Sequence, residues 1–353
     1  MIFHLKFILF IFFLIFINCK TSVISETHQK IKCSGEEFYI ESICDDERNL
    51  LQWAEKYKSF TNLNSLDNKA LFRIMREEGI DKASAVFYHR AVLETKFLFE
   101  YLKEKQSNHE AENIKTQKVL LLVLPGMFYQ DHDSVDSTAK GIRNIALKLG
   151  IDSNVLNTQQ TGTIYENASI LCNFLKRPNE YSKLIIVSAS KGSTDFLESI
   201  NMCKENMQKI IGWINIGGIN KGTLIVDELS NNYLANFKAK LYFLMNAYNW
   251  NGLLSIKYNP EYFNSIVIPK KIKVINIIGV PTNTMISSRA RPYYNLLSKY
   301  GPNEGMNLLG DTIIKNSINF PLWRNDHYFR VPIPAEKISK FLKYIIKNSN
   351  KEL

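Results

Sequence analysis

Lys183-Leu184-Ile185-Ile186-Val187-Ser188-Ala189-Ser190-Lys191-Gly192-Ser193 is the stretch that decides the fold. Its apolar start is short and β-branched, which reads as a strand buried on both faces. Small residues and a glycine then turn the chain, and the pattern from Gly192 to about Gln208 is helical. Similar units lie on either side. Lys118–Leu124 is an apolar run closed by Pro125-Gly126, Asp152–Leu156 is a weaker strand, and Ile210–Ile216 and Lys273–Ile278 are further strands. Helical patterns cover 135–149 and 166–177 between them. Continuous apolar strands alternating with helices predict an α/β fold, a mostly parallel sheet flanked by helices.

The sharp turn after Val187 carries the chemistry. A strand-to-helix turn that presents a nucleophile needs small residues two before and two after it, because the backbone there leaves no room for bulk. Ser188 and Gly192 hold those places around Ser190, although a serine stands where a glycine is usual. A serine hydroxyl is a weak nucleophile without a base and a group that orients the base. The one histidine after Ser190 is His327, in the polar segment Asn325-Asp326-His327-Tyr328.

Candidates for the orienting acid compete. Glu304 sits in the turn Gly301-Pro302-Asn303-Glu304-Gly305, where a side chain can be aimed, and is preferred. Asp311 is the alternative, with a cap for the following segment as its other role. Asp326 adjoins His327, and neighbouring side chains usually diverge. A tetrahedral oxyanion needs backbone N–H donors. Those of Lys191, after the nucleophile, and Met127, in the loop after an early strand, hold the two expected positions.

These motifs together resemble the α/β-hydrolase fold, and in their arrangement its bacterial lipase and esterase branch. Asn303-Glu304-Gly305 is similar to the Asn-Asp-Gly turn that holds the acid there, with His327 downstream. Asn220-Lys221-Gly222-Thr223 followed by Asp227 resembles a second turn of that branch, and Pro125-Gly126 stands where His-Gly is usual. The resemblance covers roughly 118–345 and implies ester hydrolysis by Ser190, His327 and Glu304 without a cofactor. It also implies that the insertion at about 228–268 is a cap or lid. Aromatic residues and Met245 within it could line a pocket or pack against the core. Arg289 and Arg291 could meet an anionic substrate group, with solvated surface positions as the plainer reading.

The N-terminus reads as a targeting signal. Residues 1–18 read as the signal, in which Lys6 precedes the apolar run Phe7–Ile17, eleven residues and too short to span a bilayer comfortably. Cys19 resembles the lipidated cysteine of a bacterial lipoprotein, with cleavage near Ser22–Ser25 or a retained anchor as alternatives. Either processed form predicts an exported protein, secreted or anchored to a bacterial envelope, where disulfides persist. Cys33 with Cys44 and Cys172 with Cys203 are the candidate pairs. Residues 19–35 read as a tether, 36–117 as a helical extension and its connection, and 118–353 as the hydrolase domain.

The chain has 353 residues, 45% of them apolar and 22% charged, which excludes wholesale disorder and a polytopic membrane protein. Its net charge of +10 is spread in small clusters without a nucleic-acid motif, so an anionic envelope surface is the partner it best suits. The six histidines form no zinc spacing, and His132 could border the oxyanion loop. Asn167-Ala168-Ser169 is a glycan acceptor string. An ester or lipid-like small molecule is the expected substrate. The alternative function is a surface-anchored hydrolase-fold protein that binds a partner without catalysis.

Overall fold

The computed structural model describes residues 45–103, 118–131, 136–178 and 180–349. The signal, the tether, Cys19, Cys33, Cys44 and His132 lie outside the described residues. Six strands form one sheet: β1 (Val119–Leu124), β2 (Asp152–Val155), β3 (Lys183–Ala189), β4 (Ile210–Ile216), β5 (Lys273–Val280) and β6 (Ile318–Trp323). Their order is β2-β1-β3-β4-β5-β6, and every pairing is parallel. All six residues of central β1 are buried, whereas those of edge strand β2 alternate between exposed and half-buried. This is why β1 reads clearly in the sequence and β2 weakly.

Among the described residues, four helices precede the sheet: α1 (Asp45–Lys56), α2 (Asn68–Glu78), α3 (Ile80–Glu94) and α4 (Lys96–Lys103). Then come α5 (Lys140–Lys148), α6 (Ile164–Lys176) and α7 (Gly192–Met202). A run of short helices follows: α8 (Leu224–Asn231), α9 (Tyr233–Met245), α10 (Trp250–Leu254) and α11 (Pro260–Ser265). The last three are α12 (Arg291–Leu297), α13 (Leu309–Thr312) and α14 (Ala335–Ser349).

Alternation along each strand divides the core between two layers. Leu121, Val123, Ile185, Val187, Ile214 and Ile275 face α5 and α14. Leu120, Leu122, Leu184, Ile186, Trp213 and Val274 face α6 and α7. The helical extension is not a detached layer. Its Leu63, Leu71, Ile74 and Phe87 share a third core with Ile278 and Val280 of β5 and with Leu309. Glu47 fixes it further, accepting from Trp323 Nε1 at 2.8 Å and from Arg324 Nε at 2.9 Å.

Three sequence expectations change in detail. The helix expected over 135–149 starts only at Lys140. The helix after Ser190 stops at Met202 instead of Gln208, and a 3-10 segment follows over Lys204–Lys209. Cys203 at that break is bonded to Cys172 of α6. Finally, β6 was not legible as a strand, because Asn319 and Pro321 interrupt its apolar run. A proline is tolerated there because β6 is an edge strand.

Candidate active site

The end of β3 sets the geometry. Ser190 has φ +50, a left-handed conformation rare for a residue with a side chain. Surrounding bonds hold it: its N–H donates to Ile216 O at 3.1 Å, and its carbonyl accepts from Ser193 N and Ile219 N, each at 3.1 Å. Strain maintained in this way is concentrated at functional positions. The turn also explains Gly192. A Cβ there would lie 2.3 Å from Leu124 O and 2.9 Å from Pro125 O, so α7 can pass β1 only with glycine at that place.

Ser188, the departure from the usual glycine, has a structural use. Its buried Oγ accepts from Trp213 Nε1 at 2.7 Å and donates to Asn215 Oδ1 at 3.0 Å. A row of buried amides continues from there across the sheet. Asn215, Asn276 and Asn319 stand in register on β4, β5 and β6. Asn215 Nδ2 donates to Asn276 Oδ1 at 2.9 Å, and Asn276 Nδ2 to Asn319 Oδ1 at 2.7 Å. The sequence reading missed this row, whose signal was a single asparagine inside each of three apolar strands.

Loops at the carboxyl ends of the strands bring the three predicted side chains together. His327 Nε2 lies 2.9 Å from Ser190 Oγ, and His327 Nδ1 lies 2.8 Å from Glu304 Oε2. With a carboxylate accepting at Nδ1, the proton sits on that nitrogen, and Nε2 is left to accept the serine proton. The backbone joins the same two residues, as His327 N donates to Glu304 O at 2.7 Å. Glu304 is only 1% exposed, and its other oxygen accepts from Asn307 N at 2.7 Å and Asn307 Nδ2 at 2.8 Å. A carboxylate fixed at both oxygens cannot swing away from the imidazole.

The competing acids do other work. Asp311 accepts from Asn68 Nδ2 at 2.8 Å and Tyr258 OH at 3.2 Å, tying the helical extension to the domain. Asp326 accepts from Ser287 N at 2.7 Å and Tyr328 N at 2.9 Å, which anchors the loop carrying His327. Gly217, with φ +52, lies beneath that loop. A Cβ there would come within 2.7 Å of Phe329 and 3.5 Å of His327 Nδ1.

On the other side, the loop after β1 comes close to Ser190. A Cβ at Gly126, the residue before Met127, would sit 3.3 Å from Ser190 Cβ. The side chain of Lys191 was not expected to matter, yet it is 1% exposed, and its Nζ lies 2.6 Å from Asp195 Oδ1. Burial pushes the Asp195 carboxyl above its ordinary range, while Lys191 and Asn167 pull it back. Asn167 Nδ2 donates to Asp195 Oδ2 at 2.9 Å, and the same amide pairs with both backbone groups of Gln159. Gln160 O then accepts from Phe128 N at 3.2 Å. A continuous bonded path therefore joins the residue after Ser190 to the residue after Met127. Asn167, buried in that path, is closed to a glycan.

Other sequence candidates face elsewhere. Arg291 donates to Asn283 Oδ1 at 2.8 Å and to Ile286 O at 3.2 Å, a structural role. The Arg289 guanidinium lies over the Tyr328 ring, 5.3 Å from its centre. In the insertion, Phe243 and Tyr248 turn inward onto Phe128, at 5.8 and 5.0 Å between ring centres. Met245 points outward instead. Among the described residues, no group of three His, Cys, Asp or Glu is arranged to hold a metal.

Comparison with known proteins yields likeness in fold. No family model matches the chain, and no curated protein matches it in sequence. Among solved structures, a metagenomic carboxyl esterase superposes with a TM-score of 0.53 at 17% identity, covering 66% of this chain and 77% of the esterase. A Bacillus licheniformis lipase in its mature form gives a TM-score of 0.45 at 17% identity, over 65% of this chain and 89% of the lipase. The all-parallel six-stranded sheet flanked by helices agrees with the likeness to the esterase, and the chain has an α/β-hydrolase fold.

Proposed function

We propose that the chain is an exported serine hydrolase that cleaves a carboxylic ester. The observation that carries the reading is the unbroken contact from Ser190 Oγ through His327 to Glu304. Ser190 Oγ attacks the ester carbonyl as His327 Nε2 takes its proton, and Glu304 stabilises the imidazolium that forms. The carbonyl oxygen becomes an oxyanion bound by the N–H groups of Met127 and Lys191. Collapse of this intermediate breaks the ester bond, and His327 returns the proton to the departing alkoxide. Water, deprotonated by His327, then attacks the acyl-enzyme and frees Ser190 and the acid.

A fluorophosphonate probe tests the reading, since it reacts only with an activated serine. Labelling of the wild type that disappears in Ser190→Ala supports it, and folded wild type left unlabelled would overturn it. The N-terminus of the mature chain tests export. A start at Cys19 with added acyl mass, or near Ser22–Ser25, supports export, and retention of residues 1–17 argues against it.

A further inference from the structure

One of the links between α6 and α7 reaches the candidate site. In the first turns of these helices, Asn167 Nδ2 donates to Asp195 Oδ2 at 2.9 Å, and Asp195 Oδ1 meets Lys191 Nζ at 2.6 Å. All three side chains are buried. A buried ion pair is weak evidence of a stabilising role, because apolar residues of similar volume often hold a core as well. Its position beside Ser190 points to another use.

Asn167 also bonds in a second direction. Its Oδ1 accepts from Gln159 N at 3.0 Å and its Nδ2 donates to Gln159 O at 3.1 Å, so one amide closes both backbone groups of that residue. The turn is tight there: a Cβ at Gly162 would lie 2.7 Å from Gln159 Cβ and 3.0 Å from Asn167 Oδ1. The segment 158–160 fixed in this way holds the loop after β1 at several points. Phe128 N donates to Gln160 O at 3.2 Å, Tyr129 OH to Thr158 O at 2.8 Å, and Gln160 Nε2 to Asp131 Oδ2 at 2.7 Å. Phe128 is kept at φ +62, a left-handed conformation that an aromatic residue adopts only under constraint. The peptide one place earlier carries the Met127 N–H.

We propose that Asn167 is a positioning residue for the oxyanion site, fixing the Met127 N–H relative to the Lys191 N–H. This rests on the serine-hydrolase reading. The two donors lie on separate loops, after β1 and after β3, and Asn167 is bonded toward both. Toward Met127 it acts through Gln159, Gln160 and Phe128, and toward Lys191 through Asp195. Donors aligned beforehand need no reorganisation when charge develops on the carbonyl oxygen.

The test is hydrolysis of p-nitrophenyl butyrate by the full mature chain, with active sites counted by fluorophosphonate uptake at completion. Asn167→Ala should label to the same stoichiometry and lower kcat by about 10–100-fold with KM within about threefold, because the donors act on charge present only in the transition state. Backbone hydrogen exchange over 126–131 should quicken by about tenfold. Asn167→Ser, a smaller disturbance of packing, should show the same pattern. Cys172→Ser/Cys203→Ser loosens the same pair of helices away from the site. It should lower the thermal midpoint, yet keep kcat per labelled site within about twofold and leave exchange over 126–131 unchanged. Unchanged kcat in both Asn167 variants would overturn the proposal. So would a raised KM at constant kcat, or an equal loss of kcat in the cysteine variant, which would make general loosening the cause. A wild type that never labels overturns the hydrolase reading and this one together. A labelled wild type beside Asn167 variants of undiminished turnover overturns this one alone.

Discussion

Removing one charge of the Lys191–Asp195 pair should damage the protein more than removing both. Each side chain is 1% exposed, and their charged atoms are 2.6 Å apart. Asp195→Leu leaves the Lys191 ammonium in a dry site with no counter-charge, at a cost of about 3–5 kcal/mol. Set against a typical domain stability of about 5–15 kcal/mol, that brings the variant close to the folding threshold. Lys191→Met/Asp195→Leu removes both charges and keeps similar side-chain volume. What remains is the Asn167 amide, which loses the acceptor it holds at 2.9 Å. An unsatisfied amide costs about 1–3 kcal/mol, so the double variant should recover a large part of the loss. Urea unfolding of the two single variants and the double variant gives the coupling directly. A double variant as unstable as the sum of the singles would refute the reasoning, since the charges would then not be acting as a pair. Because Lys191 contributes its backbone N–H to the proposed oxyanion site, the double variant should still label with the fluorophosphonate probe, though more slowly.

Further expectations follow from single contacts. Glu304→Gln should lower turnover by about 10³–10⁴-fold, as loss of the orienting acid does in comparable triads, whereas Asp311→Asn should stay within about tenfold; steady-state rates decide between the two acids. Burial holds the Asp81 carboxyl at about 6, against 3.8 in the unfolded chain, so the folded state keeps this proton more tightly. Stability should therefore fall as pH rises from about 4 through about 6, by up to about 3 kcal/mol. Asp81→Asn keeps an acceptor for Asn283 N, held at 2.6 Å in the native protein, and melting curves between pH 4 and 8 should show a shallower loss for it. An identical slope in both proteins would refute the assignment. Reducing Cys172–Cys203, which closes a loop of 31 residues, should cost about 3–4 kcal/mol, measured as a lower urea midpoint in the presence of reductant.

The contrast between what the sequence disclosed and what it hid follows the range of the interactions. Strands β1, β3, β4 and β5 could be read because burial on both faces demands continuous apolar runs. Ser190 and Gly192 could be read because the turn they occupy is local, and His327 because it is the lone histidine after Ser190. Glu304 was preferred over Asp311 from its turn alone, and contacts with Asn307 and Asn68 explain why the two carboxylates diverge. The hidden features need the third dimension. Lys191 and Asp195 are a turn apart on one helix, an arrangement usually solvated, and only the packing of α7 under β1 and α6 buries them. The amide row depends on strand register between residues as far apart as Asn215 and Asn319. Pro321 concealed β6 because an edge position can be inferred only once the sheet order is known.

That amide row has a consequence for the order in which the protein assembles. Asn215 on β4 contacts the polar cluster under Ser190, but its own amide donates to Asn276 on β5, which in turn donates to Asn319 on β6. A chain emerging from its N-terminal end reaches Asn319 only after Asn215 and Asn276 have both been made. Until then Asn276 Nδ2 lacks one of its two acceptors, Asn319 Oδ1, and keeps only Thr312 O at 2.8 Å. The polar cluster beneath the Ser190 turn is thereby joined, through two side-chain amides, to the strand that closes the far edge of the sheet, and its pairing is complete only when β6 docks.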